Sequence, residues 1–179
     1  MNAKLIQKLK KEKKLVSVKG INLPISRKKS VNIAKYIQYL PLKKAEEILK
    51  KVIKQEIAIP FYKYNRDIPH RKNIDEKIKH GRYPVKPARY ILKLLESLEK
   101  NAINLGLDPS KIFLAYIIVS KGNTMPAKMN RDGRIVRRKS TNIEIYGVYV
   151  EEYDPAKKYK KKELKAFAKK ILREWLQKI

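Results

Sequence analysis

Two groups of residues in this 179-residue chain could do chemistry by their type and spacing. The first is Arg131, Arg134, Arg137 and Arg138, four of the ten arginines within eight positions, where even spreading would place fewer than one. A guanidinium is a planar fork that grips phosphate bidentately and stacks on bases, so this concentration points to intimate contact with nucleic acid. The second group is Asp67, His70, Asp75, Glu76 and His80, acids and imidazoles within 14 residues. Such a set could ligate a metal or do acid-base work, as in a metal-dependent RNA-processing enzyme. Its spacing fits no metal motif, however, and in so basic a stretch the acids balance charge while the histidines contact phosphate or base. The residues therefore read as a binding set, with no catalytic residue, no metal and no cofactor.

Charge supports that reading. Lys and Arg number 45 against 17 Asp and Glu, leaving +28, while hydrophobic residues make up 43% of the chain. That content permits one domain with a sizeable core plus extensions. Self-repulsion on this scale works against compactness until a polyanion neutralises it, and nucleic acid is the commonest polyanion for such a protein. The chain has no cysteine, which excludes disulfides, thiolate zinc sites and a cysteine nucleophile and fits a cytoplasmic protein. No run reaches the roughly 18 apolar residues of a membrane span, and "MNAKLIQKLKKEKKLV" lacks the apolar stretch of a secretory signal.

The elements that must position these residues follow from periodicity. Residues 1–14, with six lysines and one Glu, form a basic N-terminal arm. "LVSVKGINLPIS" alternates like a strand closed by Pro24. Ser26 stands as N-cap of a first helix spaced by Val31, Ala34, Ile37 and Leu40. After Pro41, Leu42, Ala45, Ile48, Leu49, Val52 and Ile53 mark a second helix. Residues 58–87 hold four prolines, four aromatics and eight basic residues without sustained periodicity, and read as an ordered loop wrapped on a partner. Pro84 and Pro87 open the longest helix, carried by Ala88, Ile91, Leu92, Leu95, Leu98, Ala102 and Leu105 and stopped by Gly106. "KIFLAYIIV" and "TNIEIYGVYV" are strands flanking residues 120–140, and 161–179 is a basic amphipathic helix with Trp175 on its apolar stripe.

The fold class is therefore α/β of the α+β type. Three helices pack on a small antiparallel sheet of about three strands, with a long protruding β-hairpin and basic terminal extensions. The parts are the arm 1–14, a core domain 15–153 that includes the hairpin 112–151, and the helix 154–179. All three core helices begin with cations: Arg27, Lys28 and Lys29, then Lys43 and Lys44, then Lys86 and Arg89. A helix N-terminus already carries about half a positive charge, so each cation there costs a few tenths of a kcal/mol unless an anion joins it. Two readings stand: a phosphate at each start, or a lysine-rich composition placing lysines everywhere. Residues 120–140 carry seven Lys or Arg and one acid, Asp132. Their apolar members are few, and arms of about 20 residues at about 3.3 Å per residue reach some 60 Å from the domain. They are expected to be held from outside, by RNA, with Asp132 and Gly133 turning the tip.

"IPFYKYN" (59–65), "HGRYPVKPARYILKLLESLEKNA" (80–102) and "DGRIVRRKSTNIEI" (132–145) resemble the family of large-subunit ribosomal proteins numbered twenty-two in the universal scheme, in its archaeal and eukaryotic form. The match runs from about Val16 to Glu152. The resemblance implies three helices on a short antiparallel sheet at the outer surface of the large subunit, and a hairpin that enters the large-subunit rRNA to line the peptide exit tunnel. Arg131, Gly133 and Arg134 match the family's tip pattern, Gly81, Arg82, Tyr83 and Pro84 its turn into the long helix, and Arg27, Lys28 and Lys29 its basic helix start. The outgoing arm "NTMPAKMN" is poorer in arginine than that pattern.

The resulting RNA-binding set is Arg27, Lys28 and Lys29 at the first helix, Lys63, Arg66, Arg71, Arg82 and Lys86 in and after the long loop, and Lys121, Lys128, Arg131, Arg134, Arg137, Arg138 and Lys139 on the hairpin. Met129, Asn130, Arg131, Asp132, Gly133 and Arg134 form the tunnel-lining tip. Implied partners are large-subunit rRNA, neighbouring large-subunit ribosomal proteins and the nascent peptide, with neither membrane insertion nor homo-oligomerisation. The amphipathic helix is expected to dock on a neighbouring ribosomal protein or on the domain itself rather than on a membrane. A non-ribosomal RNA-binding protein is the other binding reading.

Overall fold

The alternating stretch after Lys14 becomes strand β1 (Leu15–Leu23) in a computed structural model that describes residues 14–72, 74, 78–124, 126–155, 157 and 159–177. The elements that follow are α1 (Arg27–Ile37), α2 (Leu42–Ile53), β2 (Ile59–Pro60), β3 (Gly81–Arg82) and α3 (Val85–Asn104). After them come β4 (Ile112–Lys121), β5 (Pro126–Met129), β6 (Ile135–Arg137), β7 (Thr141–Tyr149) and α4 (Lys161–Gln177). The main sheet is three-stranded and antiparallel in the order β1-β7-β4.

Alternation sorts the strand side chains onto two faces. Val16, Ile112, Leu114, Ile143 and Ile145 share one core with Ile33, Tyr36 and Ile37 of α1, Leu49 and Val52 of α2, and Ile91, Leu95 and Leu98 of α3. Gly147 lets α3 approach the central strand, since a Cβ there would stand 2.8 Å from Ile112 Cγ2 and 3.2 Å from Leu98 Cδ2. The alternate residues Leu15, Ala115 and Val148 cluster with Leu172 of α4, and Phe113 with Leu164, Ala168 and Ile171 of α4 and with Val150 and Tyr153. The C-terminal helix thus docks on its own domain, one of the two destinations its stripe allowed. Lys161 and Lys169 lie with Nζ 3.2 Å and 5.4 Å from the ring centres of Tyr36 and Tyr39. Residues 1–13, and the side chain of Trp175, lie outside the described residues.

Helix boundaries depart from the apolar spacing at two places: the longest helix stops at Asn104, one residue before Leu105, and the first stops well before Leu40. The helix expected to include Leu40 ends at Ile37, because Pro41 disfavours helical backbone in the residue before it. Tyr39 turns to φ +66°. Its N–H donates to Leu114 O at 2.8 Å, Leu114 N–H donates to Leu40 O at 2.9 Å, and Gln38 Nε2 donates to Ala115 O at 3.1 Å. The α1–α2 connection thereby covers the outer edge of the first half of β4. On the other edge of the sheet, Asn101 Nδ2 donates to Ser17 O at 3.1 Å. Ser26 holds the N-cap position of α1, but its side chain makes no cap; Ser30 Oγ donates instead to Ser26 O at 3.0 Å. Gly106 ends α3 at φ +72°, with Leu107 N–H reaching back to Ala102 O at 3.0 Å.

Both loops make contacts within the chain. In the described part of 58–87, Ile59 and Pro60 pair with Arg82 and Gly81, and Ala58, Ile59, Phe61 and Ile68 are buried. The hairpin carries main-chain pairing of its own. Pro126, Lys128 and Met129 pair with Arg137, Val136 and Ile135, and Asn130 N–H donates to Arg134 O at 2.9 Å. Gly133 completes the tip turn at φ +71°. Because β4 and β7 carry the sheet out to Lys121 and Thr141, each arm beyond it has about ten residues and reaches about 33 Å, half the span expected from sequence.

Candidate nucleic-acid interface

A cleft of about 370 Å³ forms where three elements meet: Pro24, Ile25, Ser26 and Lys29 at the start of α1, Lys86 and Pro87 at the start of α3, and Arg138 and Lys139 at the hairpin base. Neither helix has an acidic residue in its first turn. Two helix N-termini thus share a pocket with four cationic side chains, a combination that suits an anion, although at the start of α3 the Val85 N–H already donates to Tyr83 O at 3.0 Å and Pro87 has none to offer. Of the cations named from sequence, the fold brings Lys29, Lys86, Arg138 and Lys139 together here.

The others are distributed around it. Arg27 and Lys28 are exposed at the head of α1, and Lys28 Nζ lies 5.3 Å from the ring centre of Tyr64, an exposed aromatic at φ +58°. Lys63 stands beside it, its N–H and C=O both bound to Asn32. Arg71 lies over Tyr83 at 5.6 Å, Arg82 Nη2 donates to Asp67 O at 3.3 Å, and Arg66 is 3.9 Å from the Asp67 carboxylate. Lys121 ends β4, and Lys128, Met129, Asn130, Arg131, Asp132, Gly133, Arg134 and Arg137 are exposed along the ribbon. The set therefore forms a cleft, an aromatic patch and a projecting arm rather than one point.

The start of α2 behaves differently from the other two. Lys43 bonds to the Glu99 carboxylate, and Lys44 Nζ donates to Tyr159 O at 2.9 Å. Its cations serve α3 and the C-terminal segment, so the expectation of a phosphate at every helix start is not supported there. Beneath them Glu46 is buried with Oε1 unpartnered. Burial, and next the Glu99 charge, push its carboxyl above the usual range, against the opposing pull of Lys43 and Lys50. On the exposed side of the sheet, the hydrogen bond from Lys19, at 2.6 Å, holds the Glu144 carboxyl below that range.

The acid-imidazole group does not assemble into a metal-type site among the described residues. His70 and His80 pair across an isolated bridge with ring centres 4.2 Å apart, and His80 Nδ1 lies 3.0 Å from Ile68 O. Asp67 faces outward, and Asp75 and Glu76 lie outside the described residues.

Sequence reasoning missed two asparagines. Asn32, fully buried, accepts at Oδ1 from the N–H groups of Tyr62 and Lys63 at 2.9 and 3.1 Å and donates at Nδ2 to Lys28 O and Lys63 O, both at 2.9 Å. It fastens the aromatic loop to α1. Asn22 ties the hairpin root. The available signal was a polar residue between the apolar Val31 and Ile33 of α1, which spacing alone does not separate from a solvated position.

A small α+β domain whose basic ribbon and two helix starts meet in one cleft belongs, by charge and geometry, to the class of proteins shaped for a folded polyanion. Comparison with known proteins narrows this. The profile of the family described as ribosomal protein L22p/L17e matches residues 18–148. The large ribosomal subunit protein uL22 of Nanoarchaeum equitans is 51% identical over 154 residues, covering 84% of this chain and 87% of that protein. Its namesake from Sulfolobus acidocaldarius is 37% identical over 130 residues, 71% and 83% of the two chains. That from Sulfurisphaera tokodaii is 36% identical over 139 residues, 75% and 89%. The chain belongs to the ribosomal protein L22p/L17e family, as the motifs at 59–65, 80–102 and 132–145 indicated. No helix among the described residues is long and apolar enough to cross a membrane.

Proposed function

We propose that the protein is a structural constituent of the large ribosomal subunit, which binds large-subunit rRNA, supports assembly and extends its hairpin to line the nascent-peptide exit tunnel. Three parts divide the work. The core 15–153 grips RNA through the cleft and the Tyr64 patch, the hairpin within 112–151 enters it, and the segments 1–14 and 154–179 add basic contacts or meet neighbouring ribosomal proteins. The tip, Met129 to Arg134, faces the nascent chain, and no chemistry is catalysed.

The observation that carries this reading is the ribbon. Every residue from Arg131 to Lys139 is exposed, five of the nine are Arg or Lys, and Met129 and Ile135 remain 67% and 63% exposed. The ribbon pairs its main chain but leaves these side chains uncovered, and an arm that threads folded RNA presents them to phosphates and bases. The test is replacement of Arg131, Arg134, Arg137 and Arg138 by Ala, with incorporation followed by the protein's share in large-subunit gradient fractions. Incorporation should fall at least about tenfold, the scale of losing several charge-assisted contacts, while the circular dichroism of the free protein stays unchanged. Undiminished incorporation would remove the hairpin as an anchor.

A further inference from the structure

Among the described residues, the main-chain ladder of the hairpin is interrupted at its root. β4 ends at Lys121 and β5 begins at Pro126; on the return, β6 ends at Arg137 and β7 begins at Thr141. The last rung before the gap is Gly122 N–H to Ser140 O at 3.1 Å. A two-stranded ribbon that loses its ladder there has a natural hinge, and the tip about 33 Å away amplifies any swing: 15° at the root moves it about 9 Å. That displacement is about three times the length of a hydrogen bond.

A side chain from outside both arms fills the gap. Asn22 sits where the pairing of β1 with β7 shifts register, between Gly20 and Leu23, at φ +52°. Asparagine tolerates this left-handed backbone better than most residues. Its Oδ1 accepts from Asn123 N–H on the outgoing arm at 3.0 Å and from Ser140 Oγ on the returning arm at 3.3 Å. Its own N–H donates to Asn142 Oδ1 at 2.8 Å. Gly122 leaves room for the knot, since a Cβ there would stand 2.4 Å from Ser140 Oγ and 2.8 Å from Asn22 Oδ1. Next to it, buried Thr141 donates through Oγ1 to Ile25 O at 2.8 Å. Both arms are thus tied to Asn22–Ile25, and Pro24, Ile25 and Ser26 of the same connection line the cationic cleft.

We propose that Asn22 is a positioning residue: it clamps both arms at the root, sets the direction in which the ribbon leaves the domain, and keeps Arg138 and Lys139 opposite Lys29 and Lys86. The consequence for RNA affinity rests on the function proposed above, whereas the clamp itself does not, and the experiment separates them. The chain has no cysteine, so spin labels introduced by Lys93→Cys on α3 and Asp132→Cys at the tip report one distance in the full-length protein. Asn22→Gly permits the same φ and removes the side chain, while Asn22→Asp keeps the acceptors. The parent and Asn22→Asp should give one narrow distance distribution and Asn22→Gly a broader or displaced one, with an unchanged melting temperature. A distribution in Asn22→Gly that matches the parent's, or a parent already as broad as the variant, overturns the clamp. Affinity for a large-subunit rRNA fragment should fall about tenfold in Asn22→Gly through lost preorganisation. A broadened distribution with unchanged affinity would keep the clamp and sink its role in binding, and a parent that does not bind the fragment would sink the function proposed above instead.

Discussion

Glu46 is an acid buried in a chain that carries +28, with one carboxylate oxygen lacking a partner. Burial comes first among the causes that raise its carboxyl pKa, Glu99 second and Glu96 adds; Lys43 and Lys50 oppose them. The folded state therefore holds this proton more tightly than the unfolded chain does. Stability from the group is fully present below the unfolded carboxyl value and is lost as pH rises through the window up to the raised one. Glu46→Gln removes the ionisation, so its urea midpoint should exceed the parent's at pH 7, and the gap should close toward pH 4. A gap that stays constant with pH would show that Glu46 is not the group responsible. Asn32 works in the opposite sense, since all its hydrogen-bonding capacity found partners. Neither side chain was legible from sequence, because a polar residue on a helix is buried or solvated according to what arrives from elsewhere in the chain, here the loop at Tyr62–Lys63 for one and α3 for the other. The arginines at 131–138 were legible because their concentration is itself the signal, independent of any fold.

At the scale of elements, the apolar stripe of α4 announced that its face would be covered without saying by what. The cover is Phe113, Val150 and Tyr153, with Tyr153 meeting Phe113 edge-on at 4.8 Å between ring centres. Leu164 is buried at the middle of that contact. Leu164→Ala should cost about 2–4 kcal/mol by loss of burial plus the cavity left behind, read as a shift of the denaturation midpoint of the isolated full-length protein. A cost under about 0.5 kcal/mol, the range of ordinary surface changes, would mean that the helix waits for a different surface. The helices and the three strands of the main sheet were readable from period and from proline and glycine punctuation. The two-residue strands β2 and β3 were not, since so short a pairing has no period, and only the spatial return of residues 81–82 to 59–60 creates it. The hairpin was legible from the two strands flanking residues 120–140 and the Asp132-Gly133 turn, but the bounds of β5 and β6 were not, since strands of four and three residues carry too little alternation to read.

For the molecule as a whole, charge sets how firmly RNA is held and under which conditions. Phosphate contacts release counterions, so affinity for an rRNA fragment should fall about a thousandfold or more between 50 and 200 mM salt if six or more phosphates are engaged. Removing Arg138 and Lys139 together should lower the slope of log affinity against log salt by about one to two. A slope unaffected by their loss would take the cleft out of the interface.

Unpaired strand margins are the usual route by which sheet proteins join one another into fibrils. Here the margin of β4 from Phe113 to Ala115 is occupied by Gln38, Tyr39 and Leu40, and Asn101 closes a carbonyl on the margin of β1. A newly made copy can therefore wait for its RNA without offering neighbouring copies a template along these stretches, and sedimentation of the RNA-free protein at millimolar strength should show monomers.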